Sequence, residues 1–286
     1  MIELEKEKVT VKLVGIQFPN IKKGYYDFFE ATEEKKDIKD IPTFAPSYLT
    51  KCGRQLYYQK TGQQPSNPID LSSRFKMYLG TLAHEGLQKI MRQIGCVVES
   101  ELHHDIEYDG LEFNYFIDLV IEYNNEKFII EIKTIYGRGF DSIKEQPKED
   151  HLLQTCSYMA FEKIKKAIIL YVGRDNGFMI QHNIESNDNL TLNNFPINEF
   201  RTKWVKNIER LKRIKQNIID KKLPGRDYER VFKNFNGNLS ENFQKDNVKY
   251  KTNWNCDYCQ YKDLCWEKEL KKILNYKFYI KNTFLN

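Results

Sequence analysis

The stretch from Leu111 to Tyr136, LEFNYFIDLVIEYNNEKFIIEIKTIY, sets three charged residues inside two otherwise apolar segments. Its alternation reads as two β-strands. On the first, Leu111, Phe113, Tyr115, Ile117, Leu119, Ile121 and Tyr123 share one face, leaving Asp118 between Phe116 and Val120 on the other. On the second, Glu131 and Lys133 share a face with Ile129 and Ile135, opposite Phe128, Ile130 and Ile132. Both faces are apolar, so both strands are expected to be largely buried. Asn tolerates positive φ, so Asn124 and Asn125 suit a two-residue hairpin loop, which sets Asp118 opposite Glu131. A four-residue loop over 124–127 brings Lys133 opposite instead, with the same side-chain parity. In both registers two carboxylates and a lysine converge on one face, with directly opposed Cβ atoms roughly 4.5–5.5 Å apart. Carboxylates that close and out of water repel each other and lose hydration, which a divalent cation or a nearby ammonium offsets. A merely solvated stripe fits poorly, because the neighbours at two-residue spacing are large and apolar.

The chain of 286 residues has room for one elaborated domain or two, and 41% hydrophobic with 30% charged residues is the balance of an ordinary globular protein. A net charge of +5 does not by itself indicate nucleic acid. No run has the length of a membrane span or the apolar core of a secretory signal, so a cytoplasmic protein without a membrane partner is expected. In a reducing compartment the six cysteines are better read as metal or cluster ligands than as disulfides. No GxxxxGK[ST] occurs, which argues against an ATP-driven motor within this polypeptide.

Taken in order, residues 1–45 open with alternating Val9, Val11 and Leu13 and continue into a charge-rich arm without assignable chemistry. APSYLTKCGRQLYYQKTG follows, a short helical turn bearing Cys52, Arg54, Tyr57 and Tyr58. From Arg74 to Ile94 a broad apolar stripe (Phe75, Tyr78, Leu82, Leu87, Met91 and Ile94, with Leu79, Ala83 and Ile90) predicts a helix that carries His84 beside it. Residues 97–108 read as a strand turned by Asp109-Gly110. Residues 147–165 read as a helix on which Gln154 and Tyr158, at i and i+4, project together. AIILYVG and FMIQHNI read as strands, giving an α/β chain with a partly antiparallel sheet. The helix over 198–222 holds nine basic against three acidic residues on its polar side, which suits either a solvated or a phosphate-contacting face. An asparagine-rich connector then leads to Cys256-x2-Cys259-x5-Cys265, three thiols at ligand spacing. The fourth ligand is expected to be Cys52, with Cys96 and Cys156 as fallbacks.

These pieces, in this order, resemble the RecB-like branch of the PD-(D/E)xK nucleases. Within it they resemble the iron-sulfur exonucleases typified by the CRISPR-associated prespacer-trimming family, and AddB-type nuclease domains. The resemblance runs from about Pro46 to Cys265 and rests on Gly80-x3-His84, Asp118, Glu131-x-Lys133, Gln154-x3-Tyr158 and the cysteine spacing. It implies a restriction-endonuclease-like α/β core with a cysteine-ligated iron-sulfur subdomain joining the N- and C-terminal segments. It further implies His84, Asp118 and Glu131 as Mg or Mn ligands, Lys133 as the catalytic lysine, and Gln154 and Tyr158 as substrate-positioning residues. Cys52, Cys256, Cys259 and Cys265 are then the ligands of a structural 4Fe-4S cluster, although four thiolates also suit zinc. Two positions depart from the family pattern: Gly53 stands where proline often follows the first cysteine, and Tyr115 where a glycine precedes the aspartate.

The implied division is an accessory segment (1–45), the first part of the iron-sulfur subdomain (46–73), the nuclease core (74–195), a basic helical segment (196–235) and the cysteine cluster with its tail (236–286). The implied function is metal-dependent exonucleolytic hydrolysis of single-stranded DNA or DNA ends, with a helicase, integrase or recombination protein as partner. The alternatives are a structure-specific endonuclease of the same fold and a non-catalytic nucleic-acid-binding subunit with a zinc site.

Overall fold

Two turns in left-handed backbone organise the sheet. Asp109 and Gly110 (φ 51° and 77°) join β1 (Val97–Tyr108) to β2 (Leu111–Tyr123), and Asn124 and Asn125 (φ 52° and 61°) join β2 to β3 (Glu126–Ile135). Positive φ at both central residues matches the right-handed strand twist, which is why these two-residue loops close tight hairpins. The computed structural model describes residues 42–95, 97–187, 189–197, 199–228, 230–233, 249–252 and 254–266, with Asp27 ahead of them. The alternating stretch from Val9 to Leu13 and the fallback ligand Cys96 lie outside the described residues.

A seven-stranded sheet in the order β1 to β7 forms the centre, completed by β4 (Lys166–Gly173), β5 (Met179–Ser186), β6 (Leu190–Leu192) and β7 (Phe195–Pro196). Every neighbouring pair is antiparallel except β3 and β4. That parallel step needs a crossover, and α3 (Glu149–Glu162) makes it. In chain order the helices are α1 (Gly53–Lys60), α2 (Leu71–Ile94), α3, α4 (Phe200–Ile219) and the short α5 (Trp254–Asp257). Strands β8 (Arg230–Lys233) and β9 (Lys249–Thr252) pair in a separate ribbon.

Helices cover both faces of the sheet. On one, a large core joins Leu153, Tyr158 and Met159 of α3 and Ile208, Leu211 and Ile214 of α4 to strand residues, with Phe44, Leu49 and Leu56 from the chain ahead of α2. On the other, Leu87 and Met91 of α2 pack on Leu119, Ile121, Ile130 and Ile132. The described residues include no helix long and apolar enough to cross a membrane.

Two expectations need correction. The predicted apolar stripe of α2 is largely exposed: Phe75, Tyr78, Leu79, Leu82, Ile90 and Ile94 each keep 38% or more of their surface. The apolar arc is too broad for one seat, and the helix rests on one edge of it, Leu87 and Met91, together with the neighbouring His84 and Gln88. The uniform alternation of β2 also fails. Leu111, Phe113, Tyr115 and Ile117 enter the large core, Leu119 and Ile121 the small one, and Val120 returns to the large. The strand therefore changes sides at Asp118, and Phe116 on the expected apolar face is exposed.

Candidate metal centre and cysteine cavity

The change of sides coincides with a fork. Strands β2 and β3 pair from Tyr123 with Glu126 to Leu119 with Ile130 and then part. Ahead of the fork, β2 has Phe44 as a neighbour, which donates its N–H to Glu112 O and accepts that of Asn114. β3 continues beside β4, with Glu131 against Ile169 and Lys133 against Tyr171. Asp118 fills the opening, its Oδ2 accepting the Ile132 N–H at 2.7 Å. A side-chain carboxylate thus satisfies a backbone donor that the ladder has left behind.

Glu131 is buried, and Lys133 pairs with its Oε1. The same ammonium donates to Gln154 Oε1 at 3.1 Å, and Gln154 Nε2 donates to Tyr158 Oη at 2.7 Å. From the opposite face α2 brings His84, whose Nδ1 stands 3.7 Å from Asp118 Oδ2. One turn on, buried Gln88 donates to the Asp118 carbonyl at 3.3 Å. Gly80, one turn before His84, lets the helix come close, since a Cβ there would meet Thr134 Oγ1 at 3.3 Å. Gln88 escaped the sequence reading; its signal was the i, i+4 spacing from His84.

Burial pushes the Glu131 carboxyl up to about 7, with Asp118 adding to the rise and Lys133 and His84 opposing it. Burial acts to lower the Lys133 ammonium, but Glu131, Asp118 and Asp150 together hold it above the usual lysine value. Burial likewise raises the Tyr158 phenol. A raised carboxyl keeps its proton in the folded state at pH values where the unfolded chain has lost it. Through this group, the stability of metal-free protein falls as pH rises from about 4.5 to about 7. Thermal unfolding in EDTA is expected to show that fall, and Glu131→Gln to flatten it.

The donor set, two carboxylates and an imidazole with the Asp118 oxygen oriented by an amide, fits a hard divalent cation, with the nitrogen favouring Mn over Mg. Among the described residues no three His, Cys, Asp or Glu side chains stand in metal-ligand geometry as they are, and the Lys133 ammonium lies against Glu131.

Cys52, Cys256, Cys259 and Cys265 line one cavity with Arg54, Tyr58, Tyr261 and Trp266. Cys156 is buried elsewhere, in the large core. Donors point at the sulfurs: Tyr261 N–H reaches Cys259 Sγ at 3.4 Å, and Arg54 reaches Cys265 Sγ at 3.7 Å. Such contacts favour thiolates, against the burial that pushes the Cys52 and Cys259 thiols up. This chemistry fits a four-thiolate group.

Protein contacts alone already join the segment ahead of α2 to the segment around α5 here. Asn67 donates its N–H to Gln260 O and exchanges hydrogen bonds with Asp263, and Ser66 Oγ accepts the Leu264 N–H. Asp227 takes the Gly53 N–H at 2.7 Å and pairs with Arg210 at 2.5 Å, while Arg210 also donates to Leu49 O and Lys51 O. Asp227→Ala, which leaves the Gly53 N–H without its acceptor and Arg210 without its counter-charge, is expected to cost about 2 kcal/mol in chemical denaturation.

Arg210 thus belongs to the cysteine loop, not to a phosphate-contacting face. Lys203, Lys212 and Lys215 on the same helix are taken by Glu149, Asp109 with Glu209, and the Gly110 carbonyl. Arg201, Lys206, Arg213, Lys221 and Lys222 remain exposed.

No protein-family model matches the chain, and no curated protein matches it. Among solved structures it is similar to SSO0001, with 18% identity and a TM-score of 0.43 over 84% of this chain and 94% of that one. It is also similar to LHK-Exo, an alkaline exonuclease from Laribacter hongkongensis, one structure of which is in complex with dAMP, with 18% identity and a TM-score of 0.42 over 64% of this chain and 94% of that one. Overlaps at this level assign neither a family nor an activity.

Proposed function

We propose that this protein is a metal-dependent deoxyribonuclease of the PD-(D/E)xK kind, an exonuclease on single-stranded DNA or DNA ends. The observation that carries the reading is the fork at Asp118, where Asp118, Glu131, Lys133 and His84 meet beside the Gln154–Tyr158 pair. Asp118, Glu131 and His84 would hold Mg or Mn. When bound, the ion polarises the scissile phosphate and lowers the pKa of the attacking water.

The remaining steps belong to the chain. Water gives up a proton to solvent as it adds to phosphorus, the bond from phosphorus to the leaving sugar oxygen breaks, and that oxygen takes up a proton from solvent. Lys133, anchored by Gln154 once the metal takes its place on Glu131, orients that water or offsets the charge gathering on the phosphoryl oxygens. Gln154, tied to Tyr158 one turn along α3, positions the strand. Cys52, Cys256, Cys259 and Cys265 would hold a 4Fe-4S cluster, or zinc as the less favoured occupant, in a structural role that adds to the protein contacts joining these two segments.

End-labelled linear and circular single-stranded DNA, each with Mn, Mg or EDTA, tests the activity. Loss of the linear strand with either metal and survival of the circle is expected. Cutting of the circle identifies an endonuclease, and no hydrolysis of either substrate contradicts the reading. For the cysteines, protein purified without oxygen is expected to be brown with iron and sulfide, whereas a colourless protein with stoichiometric zinc excludes the cluster.

A further inference from the structure

His151 shares the face of α3 that carries Gln154 and Tyr158, lying three and seven residues before them, and the chemistry above leaves it unused. Its Nδ1 meets Tyr171 Oη at 2.7 Å, and Tyr171 is the cross-strand partner of Lys133. The Tyr171 oxygen already accepts the Lys148 N–H at 3.1 Å, and its side chain is fully buried. A buried phenol needs an acceptor for its own proton, and His151 Nδ1 is the one in contact among the described residues. Nδ1 is therefore the acceptor, and the ring carries its proton on Nε2.

Nε2 has no hydrogen-bond partner among the described residues. Asp150 Oδ2 stands 3.9 Å from it, beyond hydrogen-bond range, on a half-exposed side chain. The His151 side chain keeps 18% of its surface, so this N–H is not sealed in the core. Burial and the charge of Lys133 push the imidazole down to about 4, which keeps the ring neutral at ordinary pH.

We propose that His151 is a substrate-binding residue, its Nε2–H donating to a phosphate oxygen of the nucleic-acid strand beside the Lys133–Gln154 pair, with Tyr171 fixing the tautomer. The identity of the strand rests on the nuclease reading. The test separates the two ring nitrogens. Asn places its amide where Nδ1 lies and keeps the Tyr171 contact; Gln places its amide where Nε2 lies and keeps the donor to the strand.

Binding of a labelled single-stranded oligonucleotide is measured by fluorescence anisotropy in EDTA for wild type, His151→Asn and His151→Gln, with thermal unfolding of each. The Asn variant is expected to bind about tenfold more weakly and the Gln variant within about twofold of wild type. With Mn, KM is expected to follow the same order while kcat changes little. Equal binding by all three proteins overturns the inference. So does wild-type binding by Asn with weakened binding by Gln, which reports an internal anchor only, and so does a wild type that binds no strand. The Asn–Gln difference in a wild type that hydrolyses nothing with either metal supports the contact and removes the nuclease reading.

Discussion

Asp118→Asn is expected to lower metal-dependent hydrolysis of single-stranded DNA by about a thousandfold while leaving thermal stability nearly unchanged. The asymmetry follows from the fork. Asp118 Oδ2 accepts the Ile132 N–H at 2.7 Å, and an asparagine carbonyl oxygen accepts the same bond, so the junction of β2 and β3 keeps its shape. What disappears is the negative charge and one anionic oxygen, the two properties a metal ligand needs. Asp118→Ala removes the acceptor as well and leaves the Ile132 amide without its partner, adding about 1–3 kcal/mol of destabilisation. Rates and unfolding curves for both variants therefore separate the structural work of this carboxylate from its chemical work. A wild-type rate in the Asn variant would take Asp118 out of the site.

Lys133→Met is expected to stop hydrolysis to a similar degree and, unlike Asp118→Asn, to destabilise the fold by about 3 kcal/mol in urea denaturation above neutral pH. Glu131 is buried and Lys133 is its counter-charge; without it the carboxylate must protonate or stay charged out of water. Replacing both partners with apolar residues, Glu131→Leu with Lys133→Met, is expected to restore most of the stability because no charge is left to bury. Activity stays lost in the double variant. Recovery of the fold without recovery of hydrolysis assigns the pair to chemistry; equal stability of the Lys133→Met protein and wild type contradicts the burial argument.

The hairpin register was legible because two asparagines in a row suit positive φ, and both adopt it. The convergence of Asp118, Glu131 and Lys133 follows from that register and from side-chain parity on β3. The fork was not legible. Period-two counting treats a strand as one continuous ribbon, and nothing in LEFNYFIDLVIEY marks where β2 exchanges one core for the other. Tyr115, noted in sequence as a departure, shows what that exchange accommodates: its ring stacks on Tyr158 with centroids 5.2 Å apart, and its hydroxyl donates to Glu162 at 2.6 Å.

Helix faces were harder to read. On α2 apolar residues outnumber the positions that touch the sheet, so counting took in the exposed side along with the seated Leu87 and Met91 and could not single out the edge that also carries the polar His84 and Gln88. On α4, charge alone could not distinguish Arg210, which ties the Cys52 loop to Asp227, from Arg213, which stays exposed. The gathering of Cys52 with Cys256, Cys259 and Cys265 was legible from ligand spacing and resemblance. The hydrogen bonds from Ser66 and Asn67 that hold the same two segments together had no sequence signature.

The metal centre itself is tested most directly by the anomalous scattering of crystals of the wild-type protein grown with Mn. A Mn peak is expected at the fork in contact with the Asp118 and Glu131 carboxylates and the His84 imidazole, with the Lys133 ammonium displaced from Glu131 and still near Gln154. Lys133 remaining on Glu131, with no Mn at the fork, would contradict the metal-centre reading.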